Sequence, residues 1–143
     1  MTVELSAIVY SGILLLILIT ISAAANVSAM GMEWGVGNRG DTPSGDGFKG
    51  RAKRAYMNLL EQLVIFSAIA IPAHMAGIHS SLTVLAAQLF LAGRVAHAIV
   101  YLLGWTFIGI RTLVWTVALV GTIILAYAVC TSGALIVAAP AVM

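Results

Sequence analysis

The stretch AYMNLLEQLVIFSAIAIPAHMA, residues 55–76, carries a single formal charge, Glu61, in 22 residues. An α-helix rises about 1.5 Å per residue and the hydrocarbon core of a bilayer is about 30 Å thick, so about 20 mostly apolar residues are needed to cross it. Residues 55–76 meet that length, and the fold follows from how often the pattern recurs. It recurs over residues 5–27, 82–103 and 108–138. The last segment is longer than one crossing requires, so its C-terminal end should project or fray before Pro140. The expected fold is all-α and membrane-integral: four transmembrane helices forming one domain over residues 1–143.

Composition points the same way. Hydrophobic residues make up 62% and charged residues 8% of the chain, against about 45–50% and about 25% in soluble domains. Five of the seven Lys and Arg residues fall between positions 39 and 54. A basic segment beside a membrane accounts for them, and no nucleic-acid partner is expected. Cys130 is the sole cysteine, which excludes an intrachain disulfide. The first apolar run ends in Ala23, Ala24 and Ala25, as a cleaved leader would, but Glu4 precedes it without any Lys or Arg. That start suits a retained helix better than a signal peptide.

Residues 28–54 hold seven glycines and Pro43, and are expected to form a polar loop. The other connections, near residues 77–81 and 104–107, are short, so the last three helices should be successive antiparallel neighbours in an up-down bundle. By the positive-inside rule, the basic loop and the 104–107 connection face the cytoplasm and both termini lie on the far side. In a bacterium the inner membrane is the expected location. Pro72 should kink the second helix.

Ionisable residues inside a membrane helix cost roughly 2.5–3.5 kcal/mol each on insertion scales, so each needs a partner or a task. In the second segment, RAKRAYMNLLEQ places Arg51, Arg54, Asn58 and Glu61 on one helical face, expected to point into the bundle. In the third, Arg94, His97 and Tyr101 share a face, and Arg111 opens the fourth. Counted from the basic end, Asn58, Tyr101 and Arg111 lie roughly 3–6 Å deep, and Glu61, His97 and Arg94 roughly 9–15 Å. The deeper tier predicts a Glu61–Arg94 ion pair that His97 can join. The shallower tier leaves Arg111 without a carboxylate, beside the Tyr101 phenol, which suits an anion or a thiolate. The bland alternative is that Asn58, Glu61, Arg94 and His97 only hold the helices in register, and that Arg54 snorkels to headgroups. His74 and His79 are five apart with no Cys or carboxylate close in sequence, so no metal is expected and both read as solvated loop histidines.

RAYMNLLE, residues 54–61, and RVAHAIVYLLG, residues 94–104, resemble the second and third helices of the membrane-associated proteins in eicosanoid and glutathione metabolism, the MAPEG family. The likeness spans most of the chain and is nearest to a bacterial member of the microsomal glutathione transferase and prostaglandin E synthase type. It implies a homotrimer with sites between adjacent subunits near the cytoplasmic face. Glutathione would be the cosubstrate, and a lipophilic electrophile would arrive from the lipid. By position, Arg111 and Tyr101 would be catalytic, Arg111 stabilising the thiolate with help from Thr112. Arg54, Asn58, Glu61, Arg94 and His97 would hold glutathione. The chain departs from the family pattern where the first helix lacks Lys or Arg, where Met57 stands in place of a further Arg, and where Trp115 stands near a usual tyrosine. These changes reduce the positive charge offered to glutathione's carboxylates. They keep open a noncatalytic protein that binds lipid or another amphipathic anion in the same pocket. A transporter is disfavoured, because no inverted repeat or pair of broken helices is evident.

Overall fold

The computed structural model describes residues 1–39, 45–107 and 109–132. Its helices are α1 (Val3–Met30), α2 (Met32–Val36), α3 (Gly47–Met75), α4 (Ser81–Leu103) and α5 (Ile110–Thr131). Four of these, α1, α3, α4 and α5, are long and apolar enough to cross a membrane. At about 1.5 Å per residue, even α5 reaches about 33 Å. The sequence places the first helix at residues 5–27, and it extends beyond both limits. The fourth ends, among the described residues, at Thr131, and the expected stretch over residues 133–138 lies outside them.

The expected loop over residues 28–54 is much shorter than its glycines suggest. Helix α1 continues to Met30 and stops at Gly31, whose φ of 87° lies where only glycine is comfortable. The short helix α2 then folds back so that Gly35 lies against the side chain of Val27. Helix α3 begins at Gly47, eight residues before the expected start at 55. A glycine inside a helix costs only about 1 kcal/mol, and Lys49, Arg51, Ala52, Lys53 and Arg54 are good helix formers that offset Gly50. At its other end α3 continues through Pro72 to Met75.

Helix α4 starts with a capping box: the Ser80 hydroxyl accepts from the Thr83 backbone, and the Thr83 hydroxyl accepts from the Ser80 N–H. It ends at Gly104 in the left-handed conformation, φ 73°. The tightest pairing in the bundle is α4 with α5. A side chain added at Gly93 would meet the backbone and Cβ of Ala118 within 2.7–3.0 Å, and one at Gly121 would meet Ala86 and Phe90 at 2.7 Å. Lipid tails supply no hydrophobic drive between membrane helices, so close approach through small residues is what holds such a pair.

Helix α1 packs against α3 and α4, and both contacts are more extensive than that between the sequence neighbours α3 and α4. The main core joins Ala7, Phe66, Ala70, Ala86, Ala87, Phe90, Ala118 and Leu125. Phe66 and Phe90 stack within it, centroids 4.1 Å apart. A second core, Leu18, Ala55, Leu59 and Ala98, lies toward the basic end.

At the opposite end, Glu4 is buried in the first turn of α1 and accepts a hydrogen bond from Thr83 Oγ1 at 2.5 Å. His79 Nδ1 lies 3.7 Å from the same carboxylate, and the His74 and His79 rings meet edge to face at 5.1 Å. The expectation of solvated loop histidines holds for His79, which is exposed in the α3–α4 connection, and is corrected for His74. His74 belongs to the last turn of α3 with Nδ1 buried, and His79 faces Glu4, a residue far away in sequence.

Candidate functional site

Near the basic end, α3, α4 and α5 border an open cavity of about 200 Å³ lined by Asn58, His97, Tyr101, Arg111, Thr112 and Trp115. Three helices supply these residues: Asn58 from α3, His97 and Tyr101 one turn apart on α4, and Arg111, Thr112 and Trp115 from the first turns of α5. A neighbouring cavity of about 260 Å³, lined by Arg54, Met57, Asn58, Glu61 and Tyr101, shares Asn58 and Tyr101 with the first.

Arg111 is placed by the second position of α5, and its guanidinium carbon sits 4.7 Å from the centre of the Tyr101 ring. The Tyr101 ring in turn lies 4.6 Å from that of buried His97, one turn earlier on α4. Arg111 Nε is buried and has no hydrogen-bond partner among the described residues. No carboxylate pairs with Arg111 either: the ion pair among the described residues is His79 with Glu4, at the other end.

Arg94 is the largest fully buried side chain among the described residues, 1% exposed. The expected Glu61–Arg94 ion pair does not form. Arg94 Nη1 donates to Asn58 Oδ1 at 2.7 Å and Nη2 to the Trp115 carbonyl at 3.3 Å, with the Phe90 ring 6.0 Å away. Glu61 is exposed on the outer surface of α3, as is Arg54, which donates to the Gly45 carbonyl at 3.0 Å. The reason is rotational. The buried positions of α3 include Ala52, Ala55 and Leu59, each one residue after the stripe of Arg51, Arg54 and Asn58, and one residue is about 100° of helix. The polar stripe thus runs along the edge of the interface instead of through it. The separation into two tiers is corrected with it, because deep Arg94 reaches the shallower Asn58.

This geometry fixes the chemistry that the cavity offers. A guanidinium can only donate, so Asn58 must spend its carbonyl oxygen on Arg94 and present its NH₂ to the cavity. With the Asn58 amide, the Arg111 guanidinium and the Tyr101 hydroxyl, the walls are rich in donors. Two guanidiniums lie in or behind them without a carboxylate, an arrangement complementary to an anion. The resemblance grouped Asn58, His97, Tyr101 and Arg111, which do line one cavity, together with Glu61, which does not, and the depth reading assigned Arg94 the wrong partner. The Trp115 backbone carbonyl was beyond its reach, since nothing in a residue's identity marks a main-chain acceptor.

Comparison with known proteins gives one match. The model of the MAPEG family matches residues 7–131, nearly the whole chain. No curated protein and no solved structure matches.

Proposed function

The chain belongs to the MAPEG family, and from that premise we propose that it is a glutathione-dependent transferase or peroxidase acting on lipophilic electrophiles at the membrane, assembled as a homotrimer. The observation that carries the proposal is the Arg111 guanidinium over the Tyr101 ring, in a donor-rich cavity with no carboxylate to neutralise it. A free thiol is mostly protonated at neutral pH, and a fixed cation favours the nucleophilic thiolate.

In the transferase reaction the glutathione thiol loses its proton and the thiolate sulfur forms a bond to the electrophilic carbon. The leaving group departs with its electron pair. In the peroxidase reaction the thiolate attacks the hydroperoxide oxygen, the O–O bond breaks and the alcohol leaves; a second glutathione then displaces water from the sulfenic acid to give the disulfide. In both, Arg111 holds the thiolate. Tyr101 and the Asn58 amide orient the peptide, and Arg94 positions Asn58 from behind.

Two features support a site shared between copies. Each cavity is smaller than the roughly 300–1,000 Å³ of ordinary ligand pockets, and a second chain would supply the missing wall. Glu61 is exposed at a depth where a bare carboxylate facing lipid is costly, and a neighbouring copy would cover it.

The test is titration of the detergent-purified protein with glutathione, read by thiolate absorbance and by conjugation of an aromatic electrophile, in wild type and Arg111→Ala. Saturable binding with a thiolate signal that Arg111→Ala abolishes is expected. No saturable binding by wild type would sink the proposal. Saturable binding of amphipathic anions without turnover would favour the noncatalytic reading, which the lack of Lys or Arg in α1 keeps in view.

A further inference from the structure

We infer that the groove between the last turns of α1 and the first turn of α3 binds an anionic phospholipid of the phosphatidylglycerol type. The groove has a volume of about 600 Å³, within the roughly 300–1,000 Å³ range of ligand pockets. Ile21, Ala24, Ala25 and Ala29 of α1 form one wall and Phe48 of α3 the other. The alanines leave depth that larger side chains would fill, and an acyl chain is the natural occupant of an apolar groove on a membrane helix.

The polar rim selects the headgroup. Lys49 lines the groove half-buried, and its ammonium has no ion-pair partner among the described residues. Lys53, one turn further along α3, is exposed and equally unpaired. The segment 39–54 at this end also holds five of the chain's seven Lys and Arg residues, a concentration that attracts anionic lipid. Asp46, the acid on the rim, makes no ion pair with Lys49. A headgroup carrying one phosphate diester and free hydroxyls answers both: the phosphate accepts from Lys49, and a hydroxyl donates to Asp46. A choline headgroup has no hydroxyl to donate and carries a compensating positive charge. The groove shares no lining residue with the Arg111 cavity, so the inference is independent of the proposed activity.

The experiment is native mass spectrometry of the whole purified protein in detergent, with phosphatidylglycerol or phosphatidylcholine of identical chains added. Wild type should retain phosphatidylglycerol at least fivefold over phosphatidylcholine. Lys49→Gln should cut phosphatidylglycerol retention about fivefold, the equivalent of the ~1 kcal/mol that one lysine contributes near an anionic surface, and leave phosphatidylcholine unchanged. Ala25→Phe, which fills the groove, should reduce both. Equal retention of the two lipids by wild type overturns the inference, as does undiminished phosphatidylglycerol retention in Lys49→Gln. A changed oligomer mass in Ala25→Phe with bound lipid unaltered would also overturn it, by making the groove a contact between copies. If Ala25→Phe fails to fold, Lys49→Gln decides alone.

Discussion

Arg94 on α4 donates a 2.7 Å hydrogen bond to the side-chain carbonyl of Asn58 on α3, and the bond settles which way the Asn58 amide faces. A buried cation is thereby held by a neutral amide and a main-chain carbonyl, with no carboxylate in between.

The two partners should respond unequally to removal. Asn58→Leu removes one of the two acceptors of a buried guanidinium and is expected to cost about 1.5–3 kcal/mol. Arg94→Met removes the charge itself and should cost less, and the double variant should lie close to Arg94→Met alone. Denaturant-induced unfolding in mixed micelles measures all three. Additive single effects would show that the pair is not coupled.

Glycines in different surroundings should respond with opposite sign. Gly93→Ala pushes a methyl into Ala118 and Gly121→Ala one into the α4 backbone, so each is expected to lose about 1–3 kcal/mol. Gly12→Ala, in the interior of α1 with open space around it, should gain about 0.4–1 kcal/mol. Thermal unfolding in one detergent compares them, and equal midpoints for Gly93→Ala and Gly12→Ala would contradict the close α4–α5 packing.

Thr83 serves two structures at once, the cap of α4 and the Glu4 carboxylate. Thr83→Val should therefore lose roughly 2.5–4 kcal/mol, from about 1 for the cap and about 1.5–3 for a hydrogen bond to a charged group. His79→Ala should lose at most about 1 kcal/mol, because His79 is partly exposed. Comparable losses in the two variants would point to His79, not Thr83, as the main support of Glu4.

At Arg111, shape should matter beside charge. Arg111→Lys keeps a cation but loses the flat guanidinium over the Tyr101 ring, an interaction of about 0.5–1 kcal/mol. Glutathione-thiolate absorbance is expected to fall in the order wild type, Arg111→Lys, Arg111→Ala, while the unfolding midpoint barely changes. A lysine variant equal to wild type would reduce Arg111 to a point charge.

Hydropathy alone made four crossings legible, whereas helical spacing set His97 in a deeper tier than Asn58, Tyr101 and Arg111, and only the family resemblance grouped these four, which line one cavity. Glycine counting was a poorer guide to residues 28–54, since a few unfavourable residues do not stop a helix whose other members favour it.

Burial of apolar length in lipid is a sum over consecutive residues, so the sequence by itself determined how many helices cross and at which end the charges collect. Which polar groups pair depends on the rotation of each helix about its axis, where one residue amounts to about 100°. That rotation is set by contacts between distant positions, such as Gly93 with Ala118 and Glu4 with Thr83. Only the tertiary structure could turn Glu61 outward and bring Asn58 to Arg94.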